Sequence, residues 1–268
     1  MSERSRRHAL VTGASSGIGL AFARQLASRG YDLVVTARRR DRLETLAEEL
    51  RQTHRVNAHV LVDDLSDAGA PERLARAIAE AGIAVDILIN NAGYGVPGRY
   101  VSTSWEQQRA FLQVMVVAVS ELTHRLLPGM IERQWGRVVN VASVAGLLPG
   151  VAGHTLYAAS KAYMIAFSES LALETAEHGV HVTASCPGFT LSEFHDVTGT
   201  RHQVNQMPGF MWLDADRVAR ESYDAVMAGK VVYVPGRVYR SLTTIARLLP
   251  RRVVTKVMTR NAGKFRRV

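Results

Sequence analysis

The stretch LYAASKAY, residues 156–163, sets Lys161 four positions after Tyr157, with a second tyrosine, Tyr163, close by. Four residues make about one helical turn, so on a helix Tyr157 and Lys161 share a face. A phenol with its ordinary pKa of about 10 shuttles protons reluctantly at neutral pH, and an ammonium one turn away stabilises the phenolate. Such a pair suits proton delivery to an oxygen gaining negative charge, as a ketone oxygen does when it accepts a hydride. Taken alone, the pair reads as a surface contact on a helix far more often than as chemistry. Tyr163 lies six residues on from Tyr157 and falls on a largely opposite face.

Such chemistry needs elements that hold it, and the chain supplies an alternating series. HALVTGA reads as a buried strand running into a Gly-rich turn, and GIGLAFARQLASRG as a helix closed by Gly30. YDLVVTAR, VNAHVLVDDL, VDILINNAG, GRVVNVASVAG, VHVTASCPG and KVVYVPG read as further strands, with helical patterns between them. Buried strands alternating with helices predict an α/β fold: a Rossmann-type, doubly wound parallel sheet of about seven strands, covered on both faces. No repeat or linker interrupts the series, so it reads as one domain with a basic helical C-terminal extension.

The first turn carries a second signal. TGASSGIG, Thr12 to Gly19, joins strand one to helix one. Its glycines permit a tight turn and a close approach of backbone to a pyrophosphate, which the helix N-terminus then attracts. Gly13, Ser15, Ser16, Gly17, Ile18 and Gly19 are the candidate ligands. At the end of strand two an acid would bind a ribose diol, but Ala37 stands there, followed by Arg38, Arg39 and Arg40. An arginine there pairs with a 2′-phosphate, which favours NADP(H), with Arg38 the first candidate and Arg39 the second.

With these motifs in order, the chain resembles the short-chain dehydrogenase/reductase family from about His8 to about Gly236. The resemblance rests on TGASSGIG, on Asp64–Leu65, on NNAG at Asn90–Gly93, on Ser143 after strand five, on Tyr157–Lys161 and on Pro187–Gly188. It implies an NADP-dependent ketone/alcohol oxidoreductase with Ser143, Tyr157 and Lys161 in catalytic positions. Lys161 would also hold a cofactor ribose hydroxyl, and Ser143 would donate a second hydrogen bond to the carbonyl oxygen. The resemblance places Asp64 and Leu65 at the adenine. It places Asn91, Ala92 and Gly93 beside the cofactor, and Pro187, Gly188, Thr190 and Ser192 at the nicotinamide amide. It further implies a homodimer or homotetramer, paired through the long helices at 105–127 and 156–178. It also implies the domain boundary, with the family domain over 1–238 and the basic extension over 239–268.

One position departs from the family pattern. Met115 stands where the family has an asparagine that commonly links the lysine to solvent through a water. A thioether is a poor hydrogen-bond partner. Two readings stay open. Either the helix stays regular or a backbone carbonyl still binds that water, and the enzyme works; or the protein is an NADP-binding sensor or partner protein with an impaired site.

The segment FTLSEFHDVTGTRHQVNQMPGFMWL follows the PG dipeptide, where the family covers its substrate. Phe189, Phe194, Met207, Phe210, Met211 and Trp212 point to an apolar substrate, with Gly199 and Gly209 as hinges and His154 near the entrance. From Lys230 onward 11 residues are basic and none acidic, so the body carries a net −2 of the total +9. The tail shows Leu242, Ile245, Leu248 and Leu249, then Val253, Val254, Val257 and Met258, broken at Pro250. A basic amphipathic segment docks on the protein's own body, lies on an anionic membrane, or draws an acidic carrier. Extensions of this kind resemble a bacterial branch that includes reductases of long-chain 3-oxoacyl lipids, with steroid-type ketone reductases related.

Other classes are disfavoured. Cys186 is the one cysteine and none of the nine His has HExxH spacing, so no disulfide or metal site is expected. No base-reading motif supports nucleic acid. No signal-peptide core precedes HALVTGASS, and no apolar run approaches the ~20 residues of a membrane span. The expectation is a cytoplasmic protein, with docking of the tail on the body the first reading and peripheral membrane contact the second.

Overall fold

A computed structural model describes residues 6–96, 98–150, 152–153, 155–193 and 208–265. Seven strands form its sheet: β1 (His8–Thr12), β2 (Asp32–Ala37), β3 (Ala58–Val62), β4 (Val85–Asn90), β5 (Gly136–Val141), β6 (Val180–Ser185) and β7 (Val232–Tyr233). Their order is β3-β2-β1-β4-β5-β6-β7, and all pairs are parallel. The order reverses beside β1, between β2 and β4. In such sheets the crevice beyond the strands' carboxyl ends at that reversal takes the ligand.

The helices are α1 (Gly17–Ala27), α2 (Arg40–His54), α3 (Ala70–Glu80), α4 (Trp105–Leu112), α5 (Ala118–Glu132), α6 (Thr155–Thr175), α7 (Ala215–Met227), α8 (Arg237–Leu248) and α9 (Arg251–Phe265). On one face Phe22 and Leu26 of α1, Leu43, Leu46 and Leu50 of α2, and Val226 of α7 pack against β1 and β2. On the other, Leu74, Phe111, Leu122 and Met164 bring α3, α4, α5 and α6 together. Both faces of the central strands are therefore dry, which is why β4 and β5 are buried throughout.

Two sequence expectations need amendment. Trp105–Glu132 is long and apolar enough, by length and composition, to cross a membrane, although the sequence reading found no run of that kind. Here Phe111, Val114, Met115, Ala118, Val119 and Leu122 are core residues instead. The same helix is also irregular. A π-helical turn, Gln113–Val117, lies between α4 and α5, and the Ala118 N–H donates to the Gln113 carbonyl five residues back.

Candidate active site

The glycine loop is built so that side chains would block it. Gly13 has φ +66°, and a Cβ there would meet Ala92 Cα and Asn91 Nδ2 at 2.9 Å. A Cβ on Gly19 would lie 2.3 Å from the Gly13 carbonyl oxygen, and one on Gly17 (φ +56°) would lie 2.9 Å from Ser192 Cβ. Thr12 ties this loop to the end of β4: its Oγ1 donates to Ile89 O and accepts from the N–H groups of Asn91 and Ala92. Asn91 Nδ2 returns a bond of 2.9 Å to Thr12 O. Ser16, at the N-cap of α1, makes no side-chain capping bond. The first turn of α1 therefore offers its N–H groups to another acceptor. A backbone cradle that a Cβ would fill, at an uncapped helix start, fits a pyrophosphate.

The two arginines after β2 differ. Arg38 keeps 70% of its side chain exposed, with Nη1 4.0 Å from Asp64 Oδ2. Arg39 lies over the glycine loop: Nε and Nη2 reach Ser15 Oγ at 3.3 and 3.0 Å, and Nη1 reaches Glu193 Oε2 at 2.9 Å. The second candidate, Arg39, is thus the one tied to the glycine loop. Asp64 Oδ1 accepts from Ser66 N–H, which fixes the turn that buries Leu65.

Beyond β5, Ser143 is extended and caps a short 3₁₀ turn, Val144–Gly146; its Oγ accepts from Ala145 N–H at 3.1 Å. Gly146 lets that turn sit directly on α6, since a Cβ there would lie 2.6 Å from the carbonyl carbon of Lys161. Tyr157 is half-buried in the first turn of α6. Lys161 is buried, its Nζ donating to Val141 O at 2.7 Å and standing 5.8 Å from the Tyr157 ring centre. Burial lowers the Lys161 pKa to about 7. The Cys186 thiol is itself pushed up to about 12 by burial and stays neutral. Tyr163 is elsewhere, bonded to Ser120 Oγ and stacked on Phe167.

Met115 is fully buried inside the π turn, and its sulfur would lie 2.9 Å from a Cβ on Gly93. Of the alternatives left open for this helix, the regular one does not hold. A π turn takes carbonyls out of the i→i+4 ladder, and such turns frequently mark functional sites. Ser120 spends its hydroxyl on Val116 O and Tyr163, so it does not replace the missing asparagine.

The PG loop closes the site's other side. Pro187 is buried, and Thr190 pairs with Leu213 and donates to Gly188 O at 3.1 Å. Ser192 Oγ reaches Thr190 O at 3.4 Å. Gly188 lies flat on the ring of Tyr239, where a Cβ would come within 2.1 Å. The Tyr239 hydroxyl accepts from Phe189 N–H and donates to Met211 O. Phe189 and Trp212 meet edge to face at 6.1 Å, while Phe210 is exposed. Phe194, Gly199, Met207 and His154 lie outside the described residues. Among the described residues no cluster of His, Cys, Asp or Glu could hold a metal ion.

Sequence reasoning missed Thr12, Glu193 and Tyr239, and a buried ladder behind the site. In it Asn90 donates to Thr123 and Asn140, and Asn140 to Ser168, joining β4, β5, α5 and α6. The adjacent Asn90 and Asn91 were a visible signal, as buried amides demand partners.

The short chain dehydrogenase family model matches residues 7–202. An uncharacterised oxidoreductase of Myxococcus xanthus is 40% identical over 72% of this chain and 76% of its own length. A short-chain dehydrogenase from Sphingobium yanoikuyae, solved in complex with NADPH, superposes with a TM-score of 0.80 at 29% identity, covering 90% of this chain and 93% of that one. A bulky-bulky ketone specific alcohol dehydrogenase from Comamonas testosteroni gives a TM-score of 0.76 at 28% identity, covering 90% and 92%. With its seven-stranded parallel sheet and its glycine cradle, the chain belongs to the short-chain dehydrogenase/reductase family of oxidoreductases.

Proposed function

We propose that the protein is an NADP(H)-dependent oxidoreductase that interconverts a ketone and a secondary alcohol on an apolar substrate. The observation that carries this reading is the seating of Ser143's turn on the backbone of Lys161, one helical turn from Tyr157. Bound in the cradle, the nicotinamide dinucleotide supplies or takes the hydride. Gly13, Gly17, Gly19 and the α1 N-terminus hold its pyrophosphate; Ser15, Arg38 and Arg39 hold the 2′-phosphate. Tyr157 Oη gives a proton to the substrate oxygen as negative charge develops there, and takes it back in the reverse direction. Ser143 Oγ donates a second hydrogen bond to that oxygen. Lys161, in its ammonium form, stabilises the phenolate left behind.

NADP(H) is supported by Ala37 in place of an acid, by the paired arginines and by the NADPH complex of the Sphingobium relative. The apolar substrate class, including 3-oxoacyl lipids and steroids, is supported by Phe189, Met211 and Trp212 beside the PG loop and by the bulky-ketone relative. The test is NADPH oxidation against 3-oxoacyl chains of graded length, steroid ketones and small ketones. Tyr157→Phe should lose at least about 100-fold and Tyr163→Phe almost nothing. Activity that survives Tyr157→Phe overturns the assignment. Met115 favours a second reading, the NADP-binding sensor, which steady turnover with any carbonyl removes.

The tail supports a peripheral contact with an anionic lipid surface. Leu242, Ile245, Leu249, Val253 and Val257 are all 44–54% exposed, in a segment without a single acid. Co-sedimentation with phosphatidylglycerol-containing vesicles, against pure phosphatidylcholine, tests this with the full chain and a Leu242→Glu/Ile245→Glu variant. Equal sedimentation of the two proteins removes it, and a concentration-dependent dimer without lipid assigns the face to a second copy. Homo-oligomers through the helical segments 105–127 and 156–178 are supported by the exposed Val117, Tyr163 and Leu173.

A further inference from the structure

Glu193 stands at the end of the PG loop's described stretch, far in sequence from the arginines it meets. Its Oε2 accepts from Arg39 Nη1 at 2.9 Å, and its Oε1 accepts from Arg42 Nη1. The rest of the Arg39 fork is committed to Ser15, through Nε and Nη2 to Oγ and Nη2 to the carbonyl oxygen at 3.5 Å. The neighbouring Ser192 presses on Gly17, close enough that a Cβ on that glycine would lie 2.9 Å away. The PG loop is thus fastened across the glycine loop, and its fastener is an anion. Arg42 and then Arg39 hold the Glu193 carboxyl below the usual carboxylate range, so it is charged at neutral pH. The acid, Arg42, Ser15 and Ser16 also line a cavity of about 460 Å³ beside the loop.

We propose that Glu193 is a specificity-determining counter-anion: it shares Arg39 with the cofactor's 2′-phosphate and thereby lowers the preference for the phosphorylated dinucleotide. This rests on the NADP(H) reading above. A guanidinium has five N–H donors in one plane, and three of the Arg39 nitrogens already have acceptors. A phosphate of charge about −1.5 to −2 that docks on Arg39 comes within a few ångströms of the carboxylate. At a solvent-like dielectric that repulsion is worth about tenfold in affinity. Ligands that lack the 2′-phosphate place no charge on Arg39 and escape this repulsion.

Equilibrium binding of adenosine 2′,5′-bisphosphate and of adenosine 5′-monophosphate, by calorimetry, isolates the 2′-phosphate. Glu193→Gln should tighten the bisphosphate about tenfold and leave the monophosphate unchanged. Glu193→Ala, which removes the charge a second way, should agree, and Glu193→Asp, which keeps it, should stay near the parent. An unchanged or weakened bisphosphate in both neutral variants overturns the proposal. Arg39→Ala separates the two readings. If the parent prefers the bisphosphate and Arg39→Ala abolishes that preference while Glu193→Gln does nothing, only the counter-anion role fails. If neither the parent nor Arg39→Ala discriminates, the NADP(H) reading fails with it.

Discussion

Replacing Lys161 with methionine should change how stability depends on pH. Burial lowers the lysine's pKa from 10.5 to about 7. Below pH 7 both folded and unfolded chains hold the proton, and the folded state bears the full penalty of a buried ammonium. Between the two pKa values the unfolded chain binds more protons than the folded one, so stability rises with pH. Integrating across that window, the native protein gains about 2 kcal/mol from this group between pH 7 and pH 9. Lys161→Met removes the gain. It also leaves the Val141 carbonyl without its donor, a cost of about 1–3 kcal/mol that does not vary with pH. Urea melts of both proteins at pH 6, 7, 8 and 9 read the difference, in which groups common to both cancel. Cys186, neutral when folded but ionising near pH 9 once unfolded, lowers stability slightly at the top of this range, and being common to both proteins it cancels in the difference. Parallel stability profiles for the two proteins would refute the argument.

The remaining predictions follow from single contacts. Gly146→Ala pushes the Ser143 turn off α6, where a Cβ meets the Lys161 backbone at 2.6 Å. It should cost about 1–3 kcal/mol in thermal melts and about 100-fold in NADPH turnover. Tyr239→Phe deprives Phe189 N–H and Met211 O of their partner. It should cost about 1–3 kcal/mol and raise KM more than it lowers kcat, since the hydroxyl supports the loop beside the substrate. Met115→Asn trades a fully buried thioether for an amide. It should destabilise by about 2–4 kcal/mol and shift kcat by less than about threefold if a carbonyl freed by the π turn serves the relay in the side chain's place. A kcat raised tenfold would assign the relay to the side chain instead.

Sequence and structure agree wherever the information is local. The strands show as short apolar runs, the glycine loop as TGASSGIG, and the Tyr157–Lys161 pair as one helical turn. What was hidden depends on packing. QVMVV carries the same apolar pattern on a π turn as on an α-helix, so nothing local marks the wider turn. The Arg39–Glu193 contact joins residues 154 apart, and only the folded chain brings them together. The sequence shows Lys161 as an ammonium beside Tyr157 and nothing of its burial. Its environment is set by β5 and α6 closing around it, and that closure makes the charge costly.

The boundary drawn at residue 238 passes through α8, which runs from Arg237 to Leu248. The helix has two unlike sides. Tyr239 and Thr243 face inward and are buried, and Tyr239 supports Gly188 and Phe189 beside the substrate. Leu242, Ile245 and Leu248 face outward. A chain cut after residue 238 would lose both sides together, so loss of vesicle binding and loss of turnover could not be told apart. Glutamates at 242 and 245 leave the Tyr239 anchor in place. With them, the lipid reading predicts lost sedimentation at unchanged turnover on a water-soluble ketone. A fall in both would mean that the outward side also braces the PG loop.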